Sequence, residues 1–165
     1  MVKVDKETLK NGKVLRALRD RFLENQTIEN LSPLFACMID SDLYVPMNLN
    51  ISKEDIGAFK NSKVGDNISL KNSMKMKPDW LKNGPDSDNL FFPVFSSIEE
   101  ATEEYSKNFS WINLPLDDCI KFARNNEKCI GIVLDAYTRP YVITGDFLNA
   151  LEDMMNEVRK EEEKQ

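Results

Sequence analysis

A run of large apolar side chains at residues 90–95 (LFFPVF) constrains the fold of this chain more than any other stretch. A strand with so little polar interruption is typical of one that is buried on both faces. Ser97 and Glu100 follow at the spacing of a capping box, which predicts a helix over residues 98–107. A second apolar run at residues 130–134 is expected to be another central strand of the same sheet.

Helices and shorter strands are predicted around these two strands. Apolar side chains recur at helical spacing over residues 11–25, with Arg19 and the other charged residues expected on the outward side. This pattern is typical of a helix docked on its own sheet, although a partner-binding helix would show it too. Residues 34–39 fit either a strand or a helix. Residues 43–46 fit a strand whose Pro46 marks a sheet edge or a strand end.

The remainder of the chain completes a mixed α/β pattern. Further elements are predicted as strands at residues 68–70, 74–76, 111–114 and 141–143, a capped helical turn after Ser52, and helices at residues 116–126 and 144–158. The expected fold class is therefore α/β (α+β), a single domain over residues 1–165 with a mixed β-sheet flanked by helices. Its core is expected at about residues 9–158, with frayed ends.

Overall charge and missing residue types exclude several classes of function. The chain has 22 Lys and Arg against 28 Asp and Glu, a net charge of −6, which argues against a nucleic-acid-binding domain. It has no histidine, so histidine-based catalytic triads and histidine-containing zinc sites are excluded. Its 6 glycines are scattered and form no phosphate-binding loop. No apolar run approaches the roughly 20 residues of a membrane helix, and no signal-peptide core is present, so a cytoplasmic location is expected.

The cysteines and the paired acids do not form a recognisable site. Cys37, Cys119 and Cys129 are widely spaced, lie in apolar segments and lack a CxxC motif. Buried, inert thiols are therefore expected, and neither a metal nor a cofactor is predicted. Adjacent acids such as Glu99 and Glu100 do not converge when they lie on a helix, so solvated faces are expected in place of catalytic carboxylates.

Several short motifs, in order, resemble the N-terminal domain of the SseB family, the enhanced serine sensitivity proteins of bacteria. The matching pieces within residues 9–156 are residues 43–46 (LYVP), 92–97 (FPVFSS), 99–101 (EEA), 131–134 (GIVL) and 141–143 (YVI) with the helix that follows. The chain departs from the family pattern at Ser96, where Thr is usual, and at Asp135-Ala136, where Asn-Pro is usual. Because the family has no established reaction, the resemblance implies a fold and a bacterial cytoplasmic setting and transfers no active site.

Two classes of function fit these observations. The favoured interpretation is a non-catalytic interaction or regulatory module whose partner is another protein, and not a nucleic acid or a membrane. The alternative is a small-ligand-binding domain, or an enzyme whose carboxylates converge only after folding. Because strand ends in α/β folds commonly hold binding surfaces, the partner surface is expected where the first apolar strand meets the following helix. Its residues are Trp80, Pro93, Ser96, Ser97, Glu99 and Glu100, and the two acids favour a basic or polar protein surface over a phosphate ligand.

Overall fold

The computed structural model describes residues 12–50 and 75–164. In chain order these residues form α1 (Lys13–Glu24), α2 (Ile28–Asp40), β1 (Asp42–Asn50), β2 (Lys75–Pro78), β3 (Leu81–Lys82), β4 (Leu90–Val94), a 3₁₀ turn (Ile98–Glu100), α3 (Glu103–Ser106), β5 (Ser110–Pro115), α4 (Leu116–Arg124), β6 (Cys129–Leu134), β7 (Tyr141–Thr144) and α5 (Gly145–Glu163). The mixed α/β architecture is confirmed. The predicted turn after Ser52 and the predicted strand at residues 68–70 lie outside the described residues.

The described strands form two sheets, where the sequence predicted one. A three-stranded antiparallel sheet has the order β2-β1-β5, and a four-stranded sheet has the order β3-β4-β6-β7. In the second sheet β4 and β6 run parallel at the centre, and both outer pairs are antiparallel. The prediction that residues 90–95 and 130–134 supply its central strands is confirmed, and Phe92, Ile132 and Leu134 are fully buried.

Pro46 does not mark a sheet edge or a strand end, so that prediction was wrong. It lies inside β1, the central strand of the three-stranded sheet. On one side of β1 the Pro46 carbonyl accepts the Asp79 amide at 3.3 Å, just beyond the end of β2 at Pro78. On the same side, Tyr44 and Phe95 exchange two backbone hydrogen bonds of 2.9 Å. The missing N–H of Pro46 therefore faces a gap between β2 and Phe95, where the ladder needs no donor.

The predicted helix over residues 98–107 was also wrong. Only a 3₁₀ turn follows Ser97, whose side chain makes no capping hydrogen bond. The chain then becomes extended, and Thr102 caps the short helix α3 by accepting the Tyr105 amide at 3.1 Å. The capping box fails because Glu100, its second member, binds Arg16 and Thr138 instead of the Ser97 amide.

The helices otherwise follow their apolar patterns. Residues 34–39, whose sequence fitted either a strand or a helix, belong to α2. Thr27 caps the start of this helix. The helix predicted for residues 11–25 is confirmed as α1, with Leu15 buried and Phe22 stacked on Tyr141 at 5.4 Å between ring centroids. Within the described ranges, no helix is both long enough and apolar enough to cross a lipid bilayer.

Candidate functional site

The structure places the six residues of the expected partner surface at different depths. Pro93, Ser96 and Ser97 are buried, Trp80 and Glu100 are half-buried, and Glu99 is exposed. Trp80 and Phe92 pack edge to face, with 5.5 Å between ring centroids, which favours a packing role for Trp80 over that of an exposed anchor. These residues therefore do not form one continuous accessible surface, and Glu99 is the only exposed member of the six.

A buried polar network lies where the parallel strands β4 and β6 end. Asp135 follows β6 with φ of 53°, in the left-handed region, and its side chain is fully buried. Its two carboxylate oxygens accept the Ser96 amide at 2.8 Å and the Ser96 hydroxyl at 2.8 Å. Arg19 of α1 donates Nη1 to the same carboxylate, and its side chain is only 5% exposed. The network is a buried ion pair with two added hydrogen bonds.

Sequence analysis missed this network because it placed Arg19 on the outward side of α1. Arg19 follows Leu15 by four positions and precedes Phe22 by three, so it lies on the apolar stripe itself. An arginine on that stripe predicts a buried acidic partner, because an unpaired buried charge is costly. Its Nε and Nη2 donate to Asp20 at 3.0 and 2.9 Å, which satisfies the outer side of the guanidinium.

A second arginine of α1 ties this network to the 3₁₀ turn. Arg16 donates Nη1 to the Ser96 hydroxyl at 3.2 Å and pairs its Nε with Glu100 at 3.4 Å. Glu100 also accepts the Thr138 hydroxyl at 2.5 Å, which joins the turn to the loop after β6. At the start of α1, Gly12 has φ of 74°, and a Cβ there would lie 2.4 Å from the Ser96 carbonyl oxygen. The start of α1 is thus fitted closely against the end of β4.

The protonation of Asp135 reflects two opposing effects. Burial raises the pKa of the Asp135 carboxyl above its ordinary value, whereas the two hydrogen bonds from Ser96 and the charge of Arg19 act in the opposite direction. Every atom of the network that could bind a ligand is already bonded inside the protein, and Asp135 is inaccessible to solvent. The arrangement can hold strand ends together, but it offers no free group for chemistry.

Five aromatic side chains form a cluster next to this network: Phe95, Tyr105, Phe109, Trp111 and Tyr137, called the aromatic cluster below. Phe95 is fully buried at its centre, with Trp111 edge-on at 5.1 Å and Tyr137 parallel at 6.2 Å between ring centroids. Tyr105 contacts Tyr137, with 4.8 Å between their ring centroids. Among the described residues, the Trp111 indole nitrogen is the only buried side-chain nitrogen or oxygen without a hydrogen-bond partner.

Two other places in the described part of the chain carry groups that could take part in chemistry: the three cysteines and an open groove. Burial raises the pKa of all three cysteine thiols, which disfavours the reactive thiolate. Across residues 12–50 and 75–164, no group of three or more Cys, Asp or Glu is placed to hold a metal ion. An open groove of about 450 Å³ between α4 and α5 is lined by Lys121, Arg124 and Arg159, and each of these cations pairs with a neighbouring carboxylate.

No family model, no curated protein and no solved structure matches this chain.

Proposed function

We propose that this protein is a non-catalytic interaction module of the bacterial cytoplasm that binds a basic surface of another protein. The proposed surface is the acidic segment, residues 98–104, together with Tyr137 of the adjoining loop. The observation that carries the proposal is the exposure of apolar and acidic groups side by side in this segment. Ile98 and Tyr137 are 38% and 43% exposed, although both are large and apolar, and Glu99, Glu103 and Glu104 are exposed as well.

Exposed apolar groups bordered by charges are typical of protein-binding surfaces. Internal contacts hold this one in place. Glu100 links the acidic segment to α1 through Arg16 and to the loop after β6 through Thr138. Tyr105 of α3 packs against Tyr137. A surface fixed before binding loses little conformational freedom when a partner arrives, which supports a recognition role.

The charge of the surface indicates the chemistry of the partner. Glu99, Glu103 and Glu104 make no hydrogen bond or ion pair through their side chains within the described residues, so their charges face solvent. The chain as a whole carries −6, which adds a long-range attraction for cations. A basic partner is favoured because like charges placed opposite one another at an interface are strongly unfavourable.

The test compares two charge-reversed variants of equal net charge. The first replaces Glu99, Glu103 and Glu104 by lysine. The second, a matched control, replaces the exposed α5 residues Asp146, Asp153 and Glu157 by lysine. Glu100 is kept in both, because its bonds to Arg16 and Thr138 are structural.

Each variant and the wild-type chain are used to capture partners from extracts of the native host. We expect a captured protein that is lost with the acidic-segment variant, is retained with the α5 variant, and weakens as salt is raised. Circular dichroism and the unfolding midpoint establish that both variants fold. The proposal would be contradicted if the acidic-segment variant captured the same proteins as the wild-type chain and if raised salt did not weaken their capture.

A further inference from the structure

The half-buried carboxylate of Asp79 lies beside the aromatic cluster. Asp79 accepts the Tyr105 hydroxyl at 2.6 Å, and no Lys or Arg pairs with it in the part of the chain that the structure describes. Burial raises the pKa of Tyr137, and the negative charge of Asp79 raises it further, so Asp79 acts on both tyrosines. A carboxylate in this setting is attracted to any cation that can reach it.

Tyr137 packs against two rings of the aromatic cluster, and yet much of the residue is exposed to solvent. Phe95 lies nearly parallel to it, with 8° between ring planes and 6.2 Å between ring centroids. Tyr105 contacts it at 49°, and 43% of the residue is nevertheless exposed. An exposed tyrosine face attracts a cation through the negative potential of its ring. The Asp79 carboxylate and the exposed Tyr137 are thus two separate attractions for positive charge, and Tyr105 contacts both of them.

We propose that Asp79 and Tyr137 form the anchor site for a cationic side chain of the basic partner, with arginine as the preferred residue. This inference rests on the function proposed above and names the group that the surface recognises. A guanidinium can stack flat on Tyr137 and still donate to a carboxylate, because its five donors lie in the plane of the stack. The Asp79 carboxylate keeps acceptor capacity for it, since a carboxylate has about four acceptor positions and Tyr105 occupies one.

Other occupants fit this site less well. A purely apolar partner group would remove water from Asp79 and leave its charge unpaired, which is strongly unfavourable. An anion would be repelled by Asp79 and by the neighbouring Glu103 and Glu104. A cation is the one class that satisfies the carboxylate and the ring together.

The first test uses three short peptides that differ at one pair of positions, which carry arginine, lysine or citrulline. Citrulline has the shape of arginine without its charge. Binding is followed by NMR through the Tyr137 amide and the Trp111 indole N–H, whose ring lies within the aromatic cluster. We expect the arginine peptide to shift both signals saturably, with a weaker effect of lysine. Equal binding of the arginine and citrulline peptides would overturn the inference.

The second test separates this inference from the proposed function. Tyr137→Leu and Asp79→Asn should each weaken binding of the arginine peptide and of the captured partner by about five- to thirtyfold. Tyr137→Phe keeps the ring and should bind like wild type. In Asp79→Asn the side-chain amide oxygen can still accept the Tyr105 hydroxyl, so the fold is expected to persist.

The outcomes distinguish the anchor from the surface that carries it. Binding that is lost on reversal of the acidic segment but unchanged by Tyr137→Leu and Asp79→Asn would refute the anchor and leave the interaction surface standing. Binding that is unchanged in all of these variants would refute both the anchor and the interaction surface.

Discussion

Replacing Arg19 by methionine should destabilise the protein strongly, because it leaves the Asp135 carboxylate buried without its cation. Methionine keeps most of the arginine stem, so the change removes charge more than volume. Both side chains are almost fully buried, at 5% and 0% exposure, so solvent does not screen the pair as it would on the surface. Breaking such a pair from one side costs about 3–5 kcal/mol. We expect that loss in the free energy of unfolding near neutral pH.

The loss should shrink as the pH falls. Without Arg19, burial raises the pKa of Asp135 further above its unfolded value, so the folded variant binds a proton that the unfolded chain does not. Stability then falls as the pH rises through the interval between the two pKa values, and it is recovered below that interval. The difference between variant and wild type should therefore be largest at about pH 7 and smaller near the ordinary Asp pKa of about 4.

Urea unfolding followed by circular dichroism, at both pH values, measures these differences. The comparison variant is Asp135→Asn, which keeps an acceptor for Ser96 and suits the left-handed backbone at this position. It leaves Arg19 paired with Asp20, so a smaller loss of about 1–3 kcal/mol is expected. A loss below about 1 kcal/mol for Arg19→Met, or one that is the same at both pH values, would refute this account of the network.

Three further predictions concern the core, the helix caps and the thiols. Phe92→Ala should lose about 3–5 kcal/mol in urea unfolding, because the ring is fully buried; a shift within error would contradict its central position. Thr102→Ala should lose about 1 kcal/mol, while Ser97→Ala should change stability by less than about 0.5 kcal/mol, because only Thr102 makes a capping bond; the reverse order in thermal melts would be incompatible with the observed caps. Cys119, fully buried and with its thiol pKa raised by burial, should react with a thiol reagent only after unfolding, and rapid labelling of the native protein would show that it is accessible.

The central strands could be predicted from the sequence because their signal is local. Residues 90–95 and 130–134 are continuous apolar runs, and burial on both faces follows directly from that composition. The apolar period of α1 was equally informative about its bounds. Pro46 was misplaced because its effect depends on which neighbouring strand has ended beside it, and that is a property of the assembled sheet.

The site was less predictable because distant residues compete for the same groups. Ser97 and Glu100 have the spacing of a capping box. Glu100 instead pairs with Arg16, which lies far from it in the sequence. The Ser96–Asp135 contact joins two residues that are 39 positions apart in the sequence. It could not be predicted from the sequence, because it depends on β4 and β6 lying side by side.

Two adjacent residues connect the buried network to the proposed surface. Successive side chains of an extended segment point to opposite sides, and here Phe95 enters the aromatic cluster while Ser96 enters the network around Asp135. A shift of Ser96 that follows loss of the ion pair would therefore move Phe95, and with it the ring that supports Tyr137. The cation site proposed for Asp79 and Tyr137 depends on that support. A ring without a fixed position must be ordered when a cation binds, and that cost lowers the affinity for the cation. Under the proposed function, the buried charges therefore contribute to recognition although they lie outside the proposed site.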